Sequence, residues 1–253
     1  MREVRVFVER PLSAGKSVTL PLGPARHVAR VLRLRTGSSL TLFNDQGGEY
    51  RGEIERMRGE DVEVKVISHL SIERESPRAL ILLQGVARSE RMDLIVQKAT
   101  ELGVTHILPI ACARSVVQLD IERANKRQEH WRATAIAACE QCGRNRLPII
   151  EPVRSLADAL EALSTAEYAD FATRGLLDPQ AALTLAQWVS RATASSAPVA
   201  LLIGPEGGLE DSEQTIAEQH DFTALRLGPR ILRTETAALA ALAAIQSLAG
   251  DFA

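Results

Sequence analysis

Residues 201–236 read LLIGPEGGLEDSEQTIAEQHDFTALRLGPRILRTET, and this stretch decides the fold. It holds two Gly-Pro loops, one running from Ile203 to Gly208 and one from Leu227 to Arg233. Each directly follows a short apolar run that predicts a buried strand. Two strand-exit loops this alike predict one shared pocket. Gly204, Gly207 and Gly208 permit close backbone approach and positive φ, so that amide N–H groups can face a ligand. No Gly-Lys-Ser/Thr follows, and no Gly-x-Gly-x-x-Gly opens a helix after a strand, so neither the P-loop nor the usual dinucleotide fingerprint is present. Glu206 sits inside the first loop, where a carboxylate repels a triphosphate but can accept hydrogen bonds from ribose hydroxyls or an amine. Leu227, Ile231 and Leu232 suit the faces and edge of an adenine. A nucleoside without phosphates fits better than a nucleotide; two ordinary turns are the plain alternative.

Outward from this stretch, the chain beyond residue 78 alternates strand and helix patterns. Strands are expected at 80–83, 105–110, 168–172 and 199–203, and helices at 92–102, 122–139, 155–163 and 181–191. Such alternation predicts a mostly parallel, helix-covered sheet, whose ligands sit at the carboxyl ends of the strands, where both loops fall. The closing helix, 236–248, carries alanines and leucines that suit either the core or a dimer seam. Before residue 70 the rhythm differs. Val4, Val6 and Val8 alternate with polar residues, as do 40–43 and 62–66, which predicts a small β-barrel or sandwich. One helix interrupts it at 24–33, with Val28, Val31 and Leu32 expected inward and Arg26, Arg30 and Arg33 on the opposite face. With Arg35 that is a dense arginine patch, either a solvated face or a contact for phosphates. The polar segment 71–78 reads as a linker, giving domains at 1–72 and 73–253.

The 253 residues, 45% hydrophobic and 25% charged, are enough for one large or two ordinary cores. A formal charge of -2 gives no global case for nucleic acid, so that case must come from local clusters. The longest uncharged apolar stretch, 236–250, falls short of a membrane span, and the first residues hold no signal-peptide core, so a soluble cytoplasmic protein is expected. Three cysteines make no disulfide framework, and Cys139 and Cys142 lack the second pair or histidine a metal site needs, so no metal is expected.

IGPEGG, LGPRILRTETA, AIAACEQCGRNR (135–146), KATELGV (98–104) and HVARVLR (27–33) together closely resemble the RsmE family, over nearly the whole chain. These are bacterial methyltransferases of the SPOUT superfamily that modify N3 of a uridine in small-subunit ribosomal RNA. The resemblance implies an N-terminal PUA-like β-barrel that helps hold RNA, and a C-terminal α/β SPOUT domain with a trefoil knot. It also implies S-adenosylmethionine as cofactor, 16S ribosomal RNA in the small subunit as partner, and a homodimer whose second copy completes the site. The cofactor residues it implies are Leu202, Gly204, Pro205, Glu206, Gly207, Gly208, Leu227, Gly228, Ile231, Leu232, Thr236 and Ala237. RNA contacts are expected from Arg26, His27, Arg30, Arg33, Arg35, Arg146 and Arg230. For the chemistry, Arg233, or Arg230 beside it, is expected to stabilise charge developing on the uracil oxygens. Arg144 and Asn145 form a second candidate set, the asparagine pairing with the uracil edge. The proton acceptor stays open among Glu206, Glu140, Glu235 and water. A knotted methyltransferase with another RNA target, and a non-catalytic ribosome-assembly factor, are the rival readings.

Overall fold

The computed structural model describes residues 4–115, 121–163, 173–192 and 197–252. The chain divides into two compact units, residues 1–75 with 136–147, and residues 76–135 with 148–253.

The first unit is a five-stranded sheet in the order β1-β3-β4-β5-β2, with β1 at Arg5–Phe7, β2 at Ser17–Thr19, β3 at Ser39–Phe43, β4 at Glu49–Arg58 and β5 at Asp61–Leu70. Only the β1–β3 pair is parallel. Alternating side chains of these strands, Val6, Leu40, Leu42, Ile54, Val62, Val64 and Val66 among them, enclose one apolar core. Helix α1 (Leu22–Arg26) runs straight into a π-helical turn at His27–Val31, where the Leu32 N–H reaches five residues back to the His27 carbonyl at 2.9 Å. This corrects the expected ten-residue helix. The extra residue in the turn rotates the apolar positions, so that Val28 is fully buried while Val31 is 66% exposed and Leu32 also faces outward.

The second unit is a parallel sheet in the order β12-β10-β11-β6-β7-β8, with β9 also on β7. Its strands are β6 (Leu80–Gly85), β7 (His106–Ala111), β8 (Ile149–Ile150), β9 (Arg154–Ser155), β10 (Thr173–Leu177), β11 (Val199–Ile203) and β12 (Thr223–Leu225). Its helices are α2 (Ser89–Glu101), α3 (Ile121–Cys142, whose last turns belong to the first unit), α4 (Leu156–Leu163), α5 (Leu185–Ala192), α6 (Asp211–Gln219) and α7 (Thr234–Ala249). The strand expected at 168–172 lies outside the described residues. Strand alternation sets the layers: Leu80, Leu82, Leu201 and Ile203 face one core with α2, α5 and α7, and Ile81, Leu83, Ala200 and Leu202 face another with α4 and α6. Each such fully buried aliphatic side chain contributes roughly 1.5–3 kcal/mol. Helix α7 buries Ala238, Ala241, Leu242 and Ile245 in the first of these cores. The polar Gln246 lies beside them, its Nε2 donating to the Leu102 carbonyl at 2.7 Å. Among the described residues no helix is long and apolar enough to cross a membrane.

Candidate active site

Loop 1 (204–210) leaves β11 and loop 2 (226–233) leaves β12. Three inter-strand steps separate β12 from β6, about 14 Å at the usual spacing, and loop 2 crosses that distance along the carboxyl edge of the sheet. Its arrival is fixed by one side chain. The Thr234 hydroxyl donates to the Gly204 carbonyl at 2.7 Å and accepts from Gln84 Nε2, at the end of β6, at 2.9 Å. The end of loop 2 is therefore tied to the start of loop 1, over a buried threonine and a buried glutamine. Gln84 Nε2 also donates to the Gly85 carbonyl, while its Oε1 is buried with no hydrogen-bond partner among the described residues.

Close packing here demands glycine. A Cβ on Gly85 would stand 2.6 Å from Pro205 Cδ and 2.8 Å from the Gly204 carbonyl carbon, so β6 and loop 1 meet backbone to backbone. Gly208 has φ +72 and closes a turn through its N–H on the Pro205 carbonyl at 2.9 Å.

Glu206 Oε1 accepts from the Arg88 N–H and from the Arg91 guanidinium, both at 3.1 Å, at the start of α2. Burial pushes this carboxyl up. Bonds from its own N–H and that of Arg88, with the charges of Arg91 and Arg88, outweigh burial and hold it below the usual carboxylate range. Arg91 Nε also faces Glu235 Oε1, in the first turn of α7, at 3.7 Å. The second oxygens of Glu206 and Glu235 are buried and have no partner among the described residues. Leaving a buried acceptor so costs about 1–3 kcal/mol, which marks these atoms as awaiting a donor. A phosphate placed here would meet two carboxylates whose near oxygens already engage the Arg91 guanidinium. A neutral or cationic ligand fits, and S-adenosylmethionine, with its ammonium and sulfonium, is of that kind.

Gly204 to Gly208 edge loop 1, and Leu227, Gly228, Ile231 and Leu232 form loop 2. The Leu202 side chain lies in the core under α4 and α6, so only its backbone faces the site. Thr236 is exposed and Ala237 half-buried on the first turns of α7. Arg230 and Arg233 are exposed, and Ile231 is 86% exposed.

Arg144, Asn145 and Arg146 belong to the first unit. The Arg144 guanidinium donates to Glu75 at 2.7 and 3.0 Å. Asn145 Oδ1 accepts from Arg5 at 2.6 Å and its Nδ2 donates to the Ile72 carbonyl at 2.6 Å. Both residues are buried, and each polar end of the asparagine is occupied within the unit. Arg146 keeps its side chain half in solvent, 4.0 Å from Glu73. Glu140 accepts from the Phe7 N–H at 3.0 Å; burial pushes its carboxyl up, only partly offset by that bond and by His27 and Arg5. In the arginine patch Arg26, His27, Arg30, Arg33 and Arg35 are all exposed. Arg26 and Arg30 both meet Glu60, at 3.1 and 2.6 Å, an acid delivered by the β4–β5 turn. Arg33 adopts φ 52, the left-handed conformation that non-glycine residues rarely hold.

Sequence reasoning missed Gln84, Arg91, Thr234 and Glu60. Gln84 did carry a signal, a polar residue ending the run LILLQG. The pairings of Arg91 and Glu60 carry none, since their partners lie far along the chain.

Residues 74–246 match the family model described as RNA methyltransferase domain, and 25–67 the one described as RNA methyltransferase PUA domain. A ribosomal RNA small subunit methyltransferase E of Bacillus subtilis (strain 168) is 33% identical over 224 residues, covering 87% of this chain and 85% of its own. The crystal structure of the Neisseria gonorrhoeae ribosomal RNA small subunit methyltransferase E bound to S-adenosyl methionine superposes with a TM-score of 0.89 at 35% identity, covering 100% of both chains. A Legionella pneumophila protein solved with bound cofactor SAM gives 0.91 at 37% identity, covering 99% of this chain and 100% of that one.

Proposed function

The chain belongs to the ribosomal RNA small subunit methyltransferase E family, and on that premise we propose that it methylates N3 of one uridine in 16S ribosomal RNA. It is an S-adenosylmethionine-dependent RNA methyltransferase, with a PUA-like N-terminal unit and a parallel-sheet SPOUT domain. The observation that supports the assignment of the site is the Thr234 hydroxyl on the Gly204 carbonyl, which ties the residue after loop 2 to the start of loop 1. Gly204 to Gly208 and Leu227 to Leu232 hold the cofactor through backbone groups and apolar side chains, with Glu206 and Glu235 taking its cationic end. The crossing of loop 2 from β12 to β6 supports the knot the family implies.

Bound S-adenosylmethionine supplies an electrophilic methyl group, so the protein's main work is alignment. Uracil N3 becomes nucleophilic only as its proton leaves, and negative charge then spreads onto O2 and O4. Arg233, exposed at the residue before α7 and two positions from Glu235, stands where a cation can meet that charge; Arg230 is its alternate. Glu206, held ionised and engaged with Arg91, is a weak proton acceptor. Arg144 and Asn145 act in this reading by tying residues 72–75 to 144–145 rather than by touching the base. Residues 1–72 hold RNA through the arginine patch, residues 73–253 carry out transfer, and the protein acts as a homodimer in the cytoplasm, as the family resemblance implies.

Radiolabelled methyl transfer to small-subunit particles, followed by digestion to nucleosides, tests the proposal. Label in 3-methyluridine is the expected result. Label on a ribose or in another RNA would replace the target, and no label at all would leave only a binding factor.

A further inference from the structure

We propose that Arg91 is a positioning residue, clamping the cofactor loop to the start of α7 and thereby setting where Arg233 stands over the bound cofactor. The proposal rests on reading the two loops as the cofactor slot. Three segments far apart in sequence meet at this one guanidinium: the first turn of α2, loop 1 through Glu206, and α7 through Glu235. The contacts use different nitrogens, Nη1 to Glu206 at 3.1 Å and Nε to Glu235 at 3.7 Å. A planar fork can serve two carboxylates at once in a way that a single ammonium cannot. The side chains are 30% exposed for Arg91 but only 17% and 13% for the two glutamates, so the cluster is drier than a surface pair and its charges act more strongly.

Each glutamate spends one oxygen on the clamp and keeps the other buried without a partner among the described residues. The carboxylates are thus presented to a donor while being prevented from repelling each other. Glu235 follows Arg233 and Thr234 directly, and Thr234 is bonded to the Gly204 carbonyl. Arg91 and Thr234 therefore pin α7 to loop 1 at two adjacent residues. Without Arg91 the two poorly solvated carboxylates would lose the one guanidinium they share, leaving only the charge of Arg88 beside Glu206, and loop 1 and α7 would separate.

The test is calorimetric titration of the full-length protein with S-adenosylhomocysteine, together with steady-state kinetics, on Arg91→Met, Arg91→Lys, Glu235→Gln and the Arg91→Met/Glu235→Gln pair. Arg91→Met is expected to weaken binding by about tenfold or more and to lower kcat, with the KM for RNA unchanged. Arg91→Lys should fall between it and the wild type. Adding Glu235→Gln to Arg91→Met should restore part of the lost affinity, because the neutral amide removes the repulsion and keeps an oxygen that can accept from the ligand's ammonium, at the cost of the charge; a residue that merely packs would show no such recovery. Wild-type affinity in Arg91→Met, or a double variant as weak as Arg91→Met alone, would overturn the clamp. Should Arg91→Met fail to fold, Glu235→Gln alone decides: it releases α7 while leaving the Glu206 contact and an acceptor oxygen, so kcat should drop with S-adenosylhomocysteine affinity within a few-fold of wild type, and an unchanged kcat, or a loss confined to affinity, would overturn the proposal. A wild type that does not bind S-adenosylhomocysteine would instead overturn the slot itself, and the clamp with it.

Discussion

Arg233 has no packing duty visible in its exposed side chain, while its backbone carbonyl accepts the Ala237 N–H at 2.8 Å and starts α7. Arg233→Ala is therefore expected to lower kcat by about 10²–10³ while thermal stability and S-adenosylhomocysteine affinity stay near wild type; turnover within a few-fold of wild type would move the role to Arg230. Glu140 makes a different, pH-dependent prediction. Burial raises its value in the folded state, so its stabilising contribution is complete below about pH 4.3, the unfolded value, and is lost as pH rises through the raised one. Glu140→Gln keeps an acceptor for the Phe7 N–H and removes the charge. Melting temperature should rise at pH 7.5 and the gain should vanish near pH 4; a loss of stability at pH 7.5 would show that the charge is needed. Glu206 has the opposite sign, its contribution present above about pH 4.3 and lost as pH falls through its lowered value, so it leaves cofactor affinity flat from pH 8 to 6. Glu206 was legible in the sequence because a carboxylate inside a glycine loop is conspicuous. That its near oxygen is spent on Arg91 was not legible, because 115 positions of chain separate the two.

At the scale of elements, the legible ones were those whose burial matches a simple period. Strand β11 was readable from VALLI to the residue, and α7 from its alanine-leucine spacing. The segment 24–33 was misread because a 3.6-residue period does not register a turn holding one residue more, and that turn puts Val31 and Leu32 outside. The same turn shapes the arginine patch. Arg26 and Arg30 share Glu60, whereas Arg33 and Arg35 are exposed on the segment that follows. A paired arginine must give up its acid to meet a phosphate, so it gains less from RNA. We expect Arg33→Ala and Arg35→Ala each to reduce the slope of log affinity against log salt by about 0.7–0.9, and Arg26→Ala by less. Filter binding across a salt series checks this, and equal slopes in all variants would make the patch a solvated face.

At the scale of the whole molecule, the sequence showed a β unit followed by an α/β unit, because the change from period 2 to alternating strand and helix is visible in composition. It did not show that 136–147 belongs with the first unit, since the ties that put it there, Asn145 to Arg5 and Ile72, Glu140 to Phe7, and the Leu147 N–H to Asp45, join positions more than 70 residues apart. Nor could periodicity reveal the path of 226–233 across three strands, which only the Thr234 contacts and the sheet order disclose. Everything functional depends on that path producing a slot lined by glycine backbone and two carboxylates. The most direct measurement is calorimetric titration of the purified protein with S-adenosylhomocysteine and, in parallel, with adenosine triphosphate. Saturable uptake of the first and none of the second is expected; silence with S-adenosylhomocysteine, or equal binding of the triphosphate, would contradict the slot.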